Sequence, residues 1–295
     1  MCKLYHKFLR IARDICKFFG NLAIKPQNNI LLKMGKLPKQ KLFHRIICMR
    51  FFPILVFDSG IGGISTLCSL ENKLKGEDFL YVADFLNSPY GNKPKKEIEK
   101  LVLSTLKKYV EKFHPKSVVV ACNTATAVCI KKLRKFFSIP IFGCEPAVKM
   151  AKNCGCKNIL VLCTRATKKY SEFLKGFCDI KVYSPQKLAG IIDEKFFDKN
   201  TINQYLQKCL NKFRKKFDCV VLGCTHYCLF KKEIENILGC KSFEGNKNIA
   251  TYVKTVLKSI RNNGGITKLI STDKSKQQYL EECYKKIKGE KICVE

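Results

Sequence analysis

The chain has 295 residues, of which 46% are hydrophobic, and its formal net charge is +32. This length and apolar content suit a protein of about two domains, and they exclude a chain that is disordered throughout. No apolar run approaches the roughly 20 residues that span a bilayer, so we expect neither a membrane-spanning protein nor a membrane partner.

The positive charge does not by itself indicate a nucleic-acid-binding protein. Only eight of the 56 basic residues are arginines, and the lysines are spread along the whole chain. Proteins that recognise phosphates and bases favour arginine, because its planar fork forms paired hydrogen bonds. We therefore expect no specific nucleic-acid partner.

The eighteen cysteines indicate reduced thiols in a cytoplasmic protein. The chain is too long for a small disulfide-stapled scaffold, and many of the cysteines lie in apolar runs. No CxxC motif is present, and Cys154-Gly-Cys156 has no second pair at metal-ligand spacing. We therefore expect no metal site.

Residues 1–51 differ from the rest of the chain, with twelve basic residues and one acidic residue. Apolar and basic residues alternate at helical spacing from Leu4 to Leu22, a pattern typical of an amphipathic helix on an anionic surface. Residues 25–40 have the composition of a linker. We expect this N-terminal extension to lie outside the fold.

From residue 52 onward, short apolar runs alternate with helical patterns. The predicted strands are Ile54–Phe57, Phe79–Ala83, Ser117–Ala121, Ile139–Phe142, Asn158–Cys163, Ile180–Tyr183 and Cys219–Gly223. Predicted helices include Lys95–His114, Ala127–Phe136, Lys168–Phe177 and Leu229–Leu238. This alternation predicts an α/β protein with parallel sheets flanked by helices, whose ligands bind beyond the carboxyl ends of the strands.

Two of these strands end in the same way. Val118–Ala121 leads into Cys122, Asn123 and Thr124, and Cys219–Gly223 leads into Cys224, Thr225 and His226. Each cysteine precedes a predicted helix, where the positive end of the helix dipole favours the thiolate. Two such thiols in one pocket would form a pair of acid/base groups.

Other strand ends also carry polar residues. Asp58 and Ser59 open a glycine-rich turn that matches neither the dinucleotide-binding nor the Walker pattern. Asp84 is interpreted as a helix cap or a loop hydrogen-bonding group before Tyr90 and Gly91. Capping alone would also explain Glu145 before Pro146, and the hydroxyls of Thr164 and Thr167.

Taken in order, six segments resemble the glutamate racemases of the aspartate/glutamate racemase superfamily. They are Phe57–Gly63, Asp84 to Gly91, Ala121–Ala125, Glu145-Pro146, Thr164–Thr167 and Gly223–Tyr227. The resemblance runs from about residue 54 to about residue 250. Cys163 stands where the family usually has glycine, and Cys228 where it usually has proline.

The resemblance implies a fold of two similar domains with the active site in the cleft between them. The first domain would comprise residues 52–147, with 245–295 returning to it, and the second would comprise 148–244. Cys122 and Cys224 would be the acid/base residues, and Asp58 and His226 would adjust their protonation.

Substrate would be held by Asp58, Ser59, Tyr90, Gly91, Asn123, Thr124, Thr225 and His226. Glu145 would contribute to the proton balance behind these residues. The implied activity is cofactor-independent conversion of L-glutamate to D-glutamate for peptidoglycan synthesis in the cytoplasm. A racemase of aspartate or hydantoins, and a basic binding protein on the same fold, remain alternatives. A homodimer also remains open.

Removing the N-terminal extension tests whether it lies outside the fold. A chain beginning at Met49 should be a soluble racemase with unchanged kinetics, because a solvated segment buries little apolar area. Its melting temperature should lie within a few degrees of that of the full chain. Insolubility or loss of most of the activity would show that residues 1–48 are part of the working structure.

Overall fold

The computed structural model describes residues 52–258 and 265–290. The amphipathic pattern between Leu4 and Leu22 and the linker composition at residues 25–40 lie outside the described residues. Across the described part of the chain, no helix combines the length and the apolar content that crossing a bilayer requires.

Five parallel strands form the first sheet, in the order β4-β3-β1-β2-β9. These strands are β1 (Ile54–Asp58), β2 (Phe79–Ala83), β3 (Ser117–Val120), β4 (Ile141–Gly143) and β9 (Thr267–Ser271). The helices that accompany them are α1 (Ile64–Lys73), α2 (Lys95–Phe113), α3 (Asn123–Phe136), α11 (Asn246–Leu257) and α12 (Gln277–Gly289). Every residue of β1, β2 and β3 is buried, as expected for strands with helices on both faces.

Four further parallel strands form the second sheet, in the order β6-β5-β7-β8. These strands are β5 (Ile159–Cys163), β6 (Ile180–Tyr183), β7 (Cys219–Gly223) and β8 (Lys241–Phe243). The helices of this part are α4 (Val148–Asn153), α5 (Arg165–Tyr170), α6 (Glu172–Lys175), α7 (Leu188–Lys195), α8 (Lys199–Leu210), α9 (Thr225–Cys228) and α10 (Lys231–Leu238). Three short 3-10 helices complete the regular structure, at Tyr90–Asn92, Asn211–Phe213 and Lys274–Lys276.

The predicted α/β fold class with parallel sheets flanked by helices is confirmed. All seven predicted strands are present, with boundaries that differ by at most two residues at either end. The single helix predicted over Lys168–Phe177 is wrong: two short helices meet at Ser171, whose hydroxyl accepts a hydrogen bond from Leu174 N at 3.1 Å and caps the second. The helix predicted over Leu229–Leu238 is present as α10, which begins at Lys231, and the short helix α9 precedes it.

The C-terminal part of the chain returns to the first sheet. β9 pairs in parallel with β2, with Thr267 opposite Phe79 and Ser271 opposite Ala83. Asn246, at the start of α11, accepts a hydrogen bond from Thr66 of α1 at 2.7 Å. The domain boundaries placed at residues 147 and 245 remain a prediction.

Candidate active site

The carboxyl ends of strands from both sheets surround one small cavity. Its lining combines three residues that follow β7 and three that follow β3 with residues from the loops after β1 and β2. The lining residues are Ser59, Pro89, Tyr90, Gly91, Cys122, Asn123, Thr124, Thr164, Ala189, Cys224, Thr225 and His226. The cavity volume is about 10 Å³, room for about one water-sized sphere. The structure therefore brings nine of the sequence-predicted site residues to one place.

Cys122 is the N-cap residue of α3. Its sulfur accepts a hydrogen bond from Ala125 N at 3.5 Å and lies 3.8 Å from Ser59 Oγ. Burial, together with the negative charge of nearby Asp58, nevertheless raises the pKa of the Cys122 thiol well above its ordinary value. The backbone donor at the helix terminus does favour the thiolate, as expected, but desolvation of Cys122 outweighs it.

Cys224 faces the same cavity from the end of β7 and has a histidine beside it. His226 Nδ1 lies 3.8 Å from Cys224 Sγ, and His226 Nε2 lies 2.8 Å from Asp193 Oδ1. Burial alone would lower the pKa of His226, but the Asp193 carboxylate outweighs it and raises this pKa well above its usual range. The Asp193 carboxylate therefore favours the protonated form of His226, whose Nδ1 faces Cys224 Sγ.

Asp193 is the residue that the sequence motifs did not identify. It lies on α7 and is 3% exposed, and its carboxylate accepts hydrogen bonds from Ile61 N at 2.9 Å and Ser88 Oγ at 2.8 Å. Burial raises the pKa of Asp193, but His226 and these donors lower it more, so that the net pKa is below its usual value. The available signal was only the adjacent acids Asp193 and Glu194 after the apolar sequence Leu188–Ile192.

Asp58 is completely buried behind the cavity wall. Its carboxylate accepts hydrogen bonds from Gly60 N at 3.0 Å and from Thr225 Oγ1 at 3.1 Å. Burial raises its pKa to about 6, although the positive charge on His226 opposes the increase. Asp58 therefore contacts the second sheet's residues through Thr225, and its role in adjusting the protonation of the thiols stays a prediction.

The glycine-rich turn after β1 consists of small residues because it packs directly against the second sheet's residues. A Cβ atom on Gly60 would lie 2.1 Å from Asp193 Oδ1, and one on Gly62 would lie 2.6 Å from His226 N. Neither distance is compatible with a larger residue. Gly60 and Gly62 therefore permit close approach, and the turn is not a nucleotide-binding motif.

Three threonine hydroxyls meet at one side of the cavity. Thr124 Oγ1 lies 2.8 Å from Thr164 Oγ1 and 3.2 Å from Thr167 Oγ1, and the last two lie 2.9 Å apart. Thr164 also caps α5, as predicted, by accepting a hydrogen bond from Thr167 N at 3.1 Å. Because Thr124 and Thr164 line the cavity, their hydroxyls can donate to an anion there.

The interpretation of Asp84 as a loop hydrogen-bonding group is confirmed. It is fully buried and accepts hydrogen bonds from the Tyr90 hydroxyl, from Asn87 Nδ2 at 3.0 Å and from Thr272 Oγ1 at 2.9 Å. These bonds hold Tyr90 and Gly91 against the cavity.

Glu145 lies elsewhere. Its side chain is exposed and borders a separate depression of about 220 Å³ beside α3, and the N-cap of α4 is Ala147. The interpretation of Glu145 as a cap is therefore wrong. The carboxylate that contacts His226 is Asp193 instead.

The two departures from the family pattern do not replace cavity-lining groups. Cys163 is fully buried behind Gly223, and the Cys228 thiol donates to Cys224 O at 3.6 Å. Within residues 52–258 and 265–290, no group of three or more His, Cys, Asp or Glu side chains is arranged to hold a metal ion.

The raised pKa of Asp58 predicts a pH-dependent stability difference. Folding stability linked to this group is fully present below its unfolded pKa of 3.8 and is lost as the pH rises through 6. Asp58→Asn should therefore gain up to about 3 kcal/mol over wild type at neutral pH compared with pH 4. Urea unfolding across this range would measure it. A stability difference that does not change with pH would contradict the assignment.

The comparisons with known proteins agree with this geometry. Residues 82–253 match the model of the Asp/Glu/hydantoin racemase family. The glutamate racemase of Halothermothrix orenii is 36% identical over 68% of this chain and 83% of its own length. Glutamate racemase 2 of Bacillus subtilis is 35% identical over 78% of this chain and 93% of its own length.

A solved structure shows the same architecture. Escherichia coli glutamate racemase, crystallised with L-glutamate and the activator UDP-MurNAc-ala, superimposes with a TM-score of 0.69 at 27% identity. The match covers 79% of this chain and 95% of the E. coli chain. The chain therefore belongs to the Asp/Glu/hydantoin racemase family, among its glutamate racemases.

Proposed function

We propose that the chain converts L-glutamate to D-glutamate, and the reverse, with Cys122 and Cys224 as the two acid/base groups and without a cofactor. The observation that carries this proposal is that two thiols, one from the end of each sheet, line the same cavity. D-glutamate from this reaction would supply peptidoglycan synthesis.

Racemisation requires a proton to leave one face of the α-carbon and another to arrive at the opposite face. One cysteine begins as a thiolate and takes the α-proton, so the C–H electron pair stays on carbon as a carbanion. The other cysteine begins as a thiol and donates its proton to the opposite face of that carbon. After one turnover the protonation states of Cys122 and Cys224 are exchanged.

The two thiols have different neighbours, so they are unequal partners. His226, held by Asp193, can exchange a proton with Cys224 through Nδ1. Cys122 instead has the Ala125 N–H and the Ser59 hydroxyl, with the buried Asp58 carboxylate nearby. The raised pKa of Cys122 makes its thiolate a strong base once formed, which suits a weakly acidic α-proton.

Hydroxyl and amide groups around the cavity provide sites for the substrate's carboxylates. Asn123, Thr124 and Thr225 line it together with Ser59, Tyr90 and Gly91, and Thr164 adds a hydroxyl that the sequence had assigned only to capping. The substrate's carboxylates would be repelled by the carboxylates of Asp58 and Asp193. The cationic His226 and the neutral donors offset that repulsion.

Glutamate is the favoured substrate because of the relatives' identities, since the matched relatives are named glutamate racemases. The family model also covers racemases of aspartate and hydantoins, so these compounds are the competing substrates. A basic binding protein without catalysis is disfavoured by the presence of both thiols. We further propose that the enzyme acts in the cytoplasm without a specific nucleic-acid partner, and we leave a homodimer open.

Replacing either thiol should abolish the reaction in both directions. Cys122→Ala and Cys224→Ala should each lose several orders of magnitude in rate, because every turnover uses both faces. Circular dichroism with L- or D-glutamate measures the rate, and parallel assays with aspartate and hydantoins test the alternatives. Cys129→Ala, a buried thiol on the same helix as the Cys122 cap, is the matched control.

The control should keep near wild-type activity, which would show that loss is specific to the cavity thiols. A Cys122→Ala protein with more than ~10% of the wild-type rate would remove Cys122 from the acid/base pair. Activity on aspartate above that on glutamate would change the substrate assignment.

Independence of cofactors is a separate prediction. Dialysis against a chelator and treatment with hydroxylamine should leave the racemisation rate unchanged, because the proposed mechanism needs only two thiols. Alkylation with iodoacetamide should remove the activity. Activity that is lost on dialysis and restored by pyridoxal phosphate or a metal ion would refute the two-thiol mechanism.

A further inference from the structure

The loop after β2 reaches across the cavity to the second sheet through a serine that no sequence motif singled out. Ser88 Oγ donates to Asp193 Oδ2 at 2.8 Å, while the other carboxylate oxygen, Oδ1, contacts His226 Nε2. We propose that Ser88 is a positioning residue for the racemisation reaction. Its hydroxyl holds the Asp193 carboxylate so that His226 is correctly oriented toward Cys224.

Ser88 and Asp193 belong to opposite sides of the cavity. Ser88 precedes Tyr90 and Gly91 in the loop that leaves the first sheet, whereas Asp193 lies on α7 between two strands of the second. The same loop contacts the segment before α7 as well, where Asn92 Nδ2 donates to Gln186 O at 3.3 Å. Of these contacts, the Ser88 bond is the one made to Asp193.

The hydroxyl of Ser88 completes the coordination of a buried charge. Asp193 Oδ1 lies within hydrogen-bond distance of both His226 Nε2 and Ile61 N, whereas Oδ2 accepts its hydrogen bond from Ser88 Oγ. Without it, the carboxylate would lose a hydrogen bond to a charged group and one restraint on its rotation. His226 would then be less well fixed, and its Nδ1 would be less well directed at Cys224 Sγ.

The size of the cavity links this contact to substrate entry. At about 10 Å³ the cavity is far smaller than glutamate, so the two sides must separate to admit substrate. Separation would remove Ser88 Oγ and Ile61 N from Asp193, because both donors come from the first sheet's loops. The inference, which rests on the proposed function, is that His226 is fully positioned only when the cavity closes.

The charge of Asp193 is linked to the protonation of the titratable groups around it. His226 is within hydrogen-bond distance of it, and Asp58 interacts with it through space. Together with burial, its negative charge also raises the pKa values of Tyr81 on β2 and of Tyr279 and Cys283 on α12. Removing the Ser88 donor leaves those neighbours in place but loosens the Asp193 carboxylate that raises the pKa of His226. The pKa of His226 would then fall, and the alkaline limb of the kcat/KM profile would move to lower pH.

Three variants test this inference against wild-type activity. Ser88→Ala should lower kcat/KM for glutamate by roughly tenfold or more and move the alkaline limb of its pH profile to lower pH. Ser88→Thr keeps the hydroxyl and should restore both the rate and the pH profile. Asn92→Ala removes a hydrogen bond between the same two segments without touching Asp193, and should leave both nearly unchanged. Melting temperatures of all variants check that they are folded.

The loss should be equal for L- and D-glutamate, because an equilibrium constant of one requires equal kcat/KM in the two directions. An unchanged alkaline limb in Ser88→Ala, an equal loss in Asn92→Ala, or a failure of Ser88→Thr to recover activity would each overturn the inference. If the wild-type protein does not racemise glutamate, the proposed function itself is overturned.

Discussion

Two buried carboxylates, Asp58 and Asp193, determine how the rest of the site is arranged. Each is almost completely removed from water, and each is held by a hydroxyl from the opposite side of the cavity: Thr225 for Asp58, and Ser88 for Asp193. An unpaired buried charge costs several kcal/mol, so these donors cannot be lost cheaply. The contacts that stabilise the carboxylates therefore also fix the position of one sheet relative to the other around the cavity.

The two carboxylates respond differently to burial because only one has a cation in contact. Asp193 pairs with His226 and keeps a lowered pKa, whereas the pKa of Asp58 rises to about 6. Two like charges in one small space favour this division, since a proton on one lowers the repulsion for the other. Under the proposed mechanism, the Cys224 side of the cavity carries a histidine whose protonated form is favoured and which exchanges a proton with Cys224, and the Cys122 side carries a carboxylate whose pKa is raised to about 6.

Much of the site could be predicted because strand ends in parallel sheets collect polar residues at one edge. Cys122, Cys224 and their neighbours stand directly after buried strands, and their positions follow from the strand pattern alone. Asp193 could not be found in this way. It lies on a helix, and its function depends on how α7 packs against the turn after β1, a contact between residues 132 apart in the chain.

The same reasoning explains the interpretations that failed. Glu145 follows a strand as the other candidates do, but the chain at this point leaves the first sheet, and the side chain stays exposed. The strand β9 was not predicted, because its sequence has no fully apolar run. It is an edge strand, and four of its five residues are only partly buried. The thiol of Cys122 does meet a helix terminus, but the sequence cannot show how thoroughly the folded chain excludes water from it.

The two sheets supply the two bases of the proposed chemistry from different parts of the fold. Cys122 ends a strand of the first sheet and Cys224 ends a strand of the second, and both line the cavity between them. A substrate held in that cavity presents one face to each thiol. The bonds that join Asp58 and Asp193 to the opposite sheet therefore also set the separation of the two bases, on which inversion at the α-carbon depends.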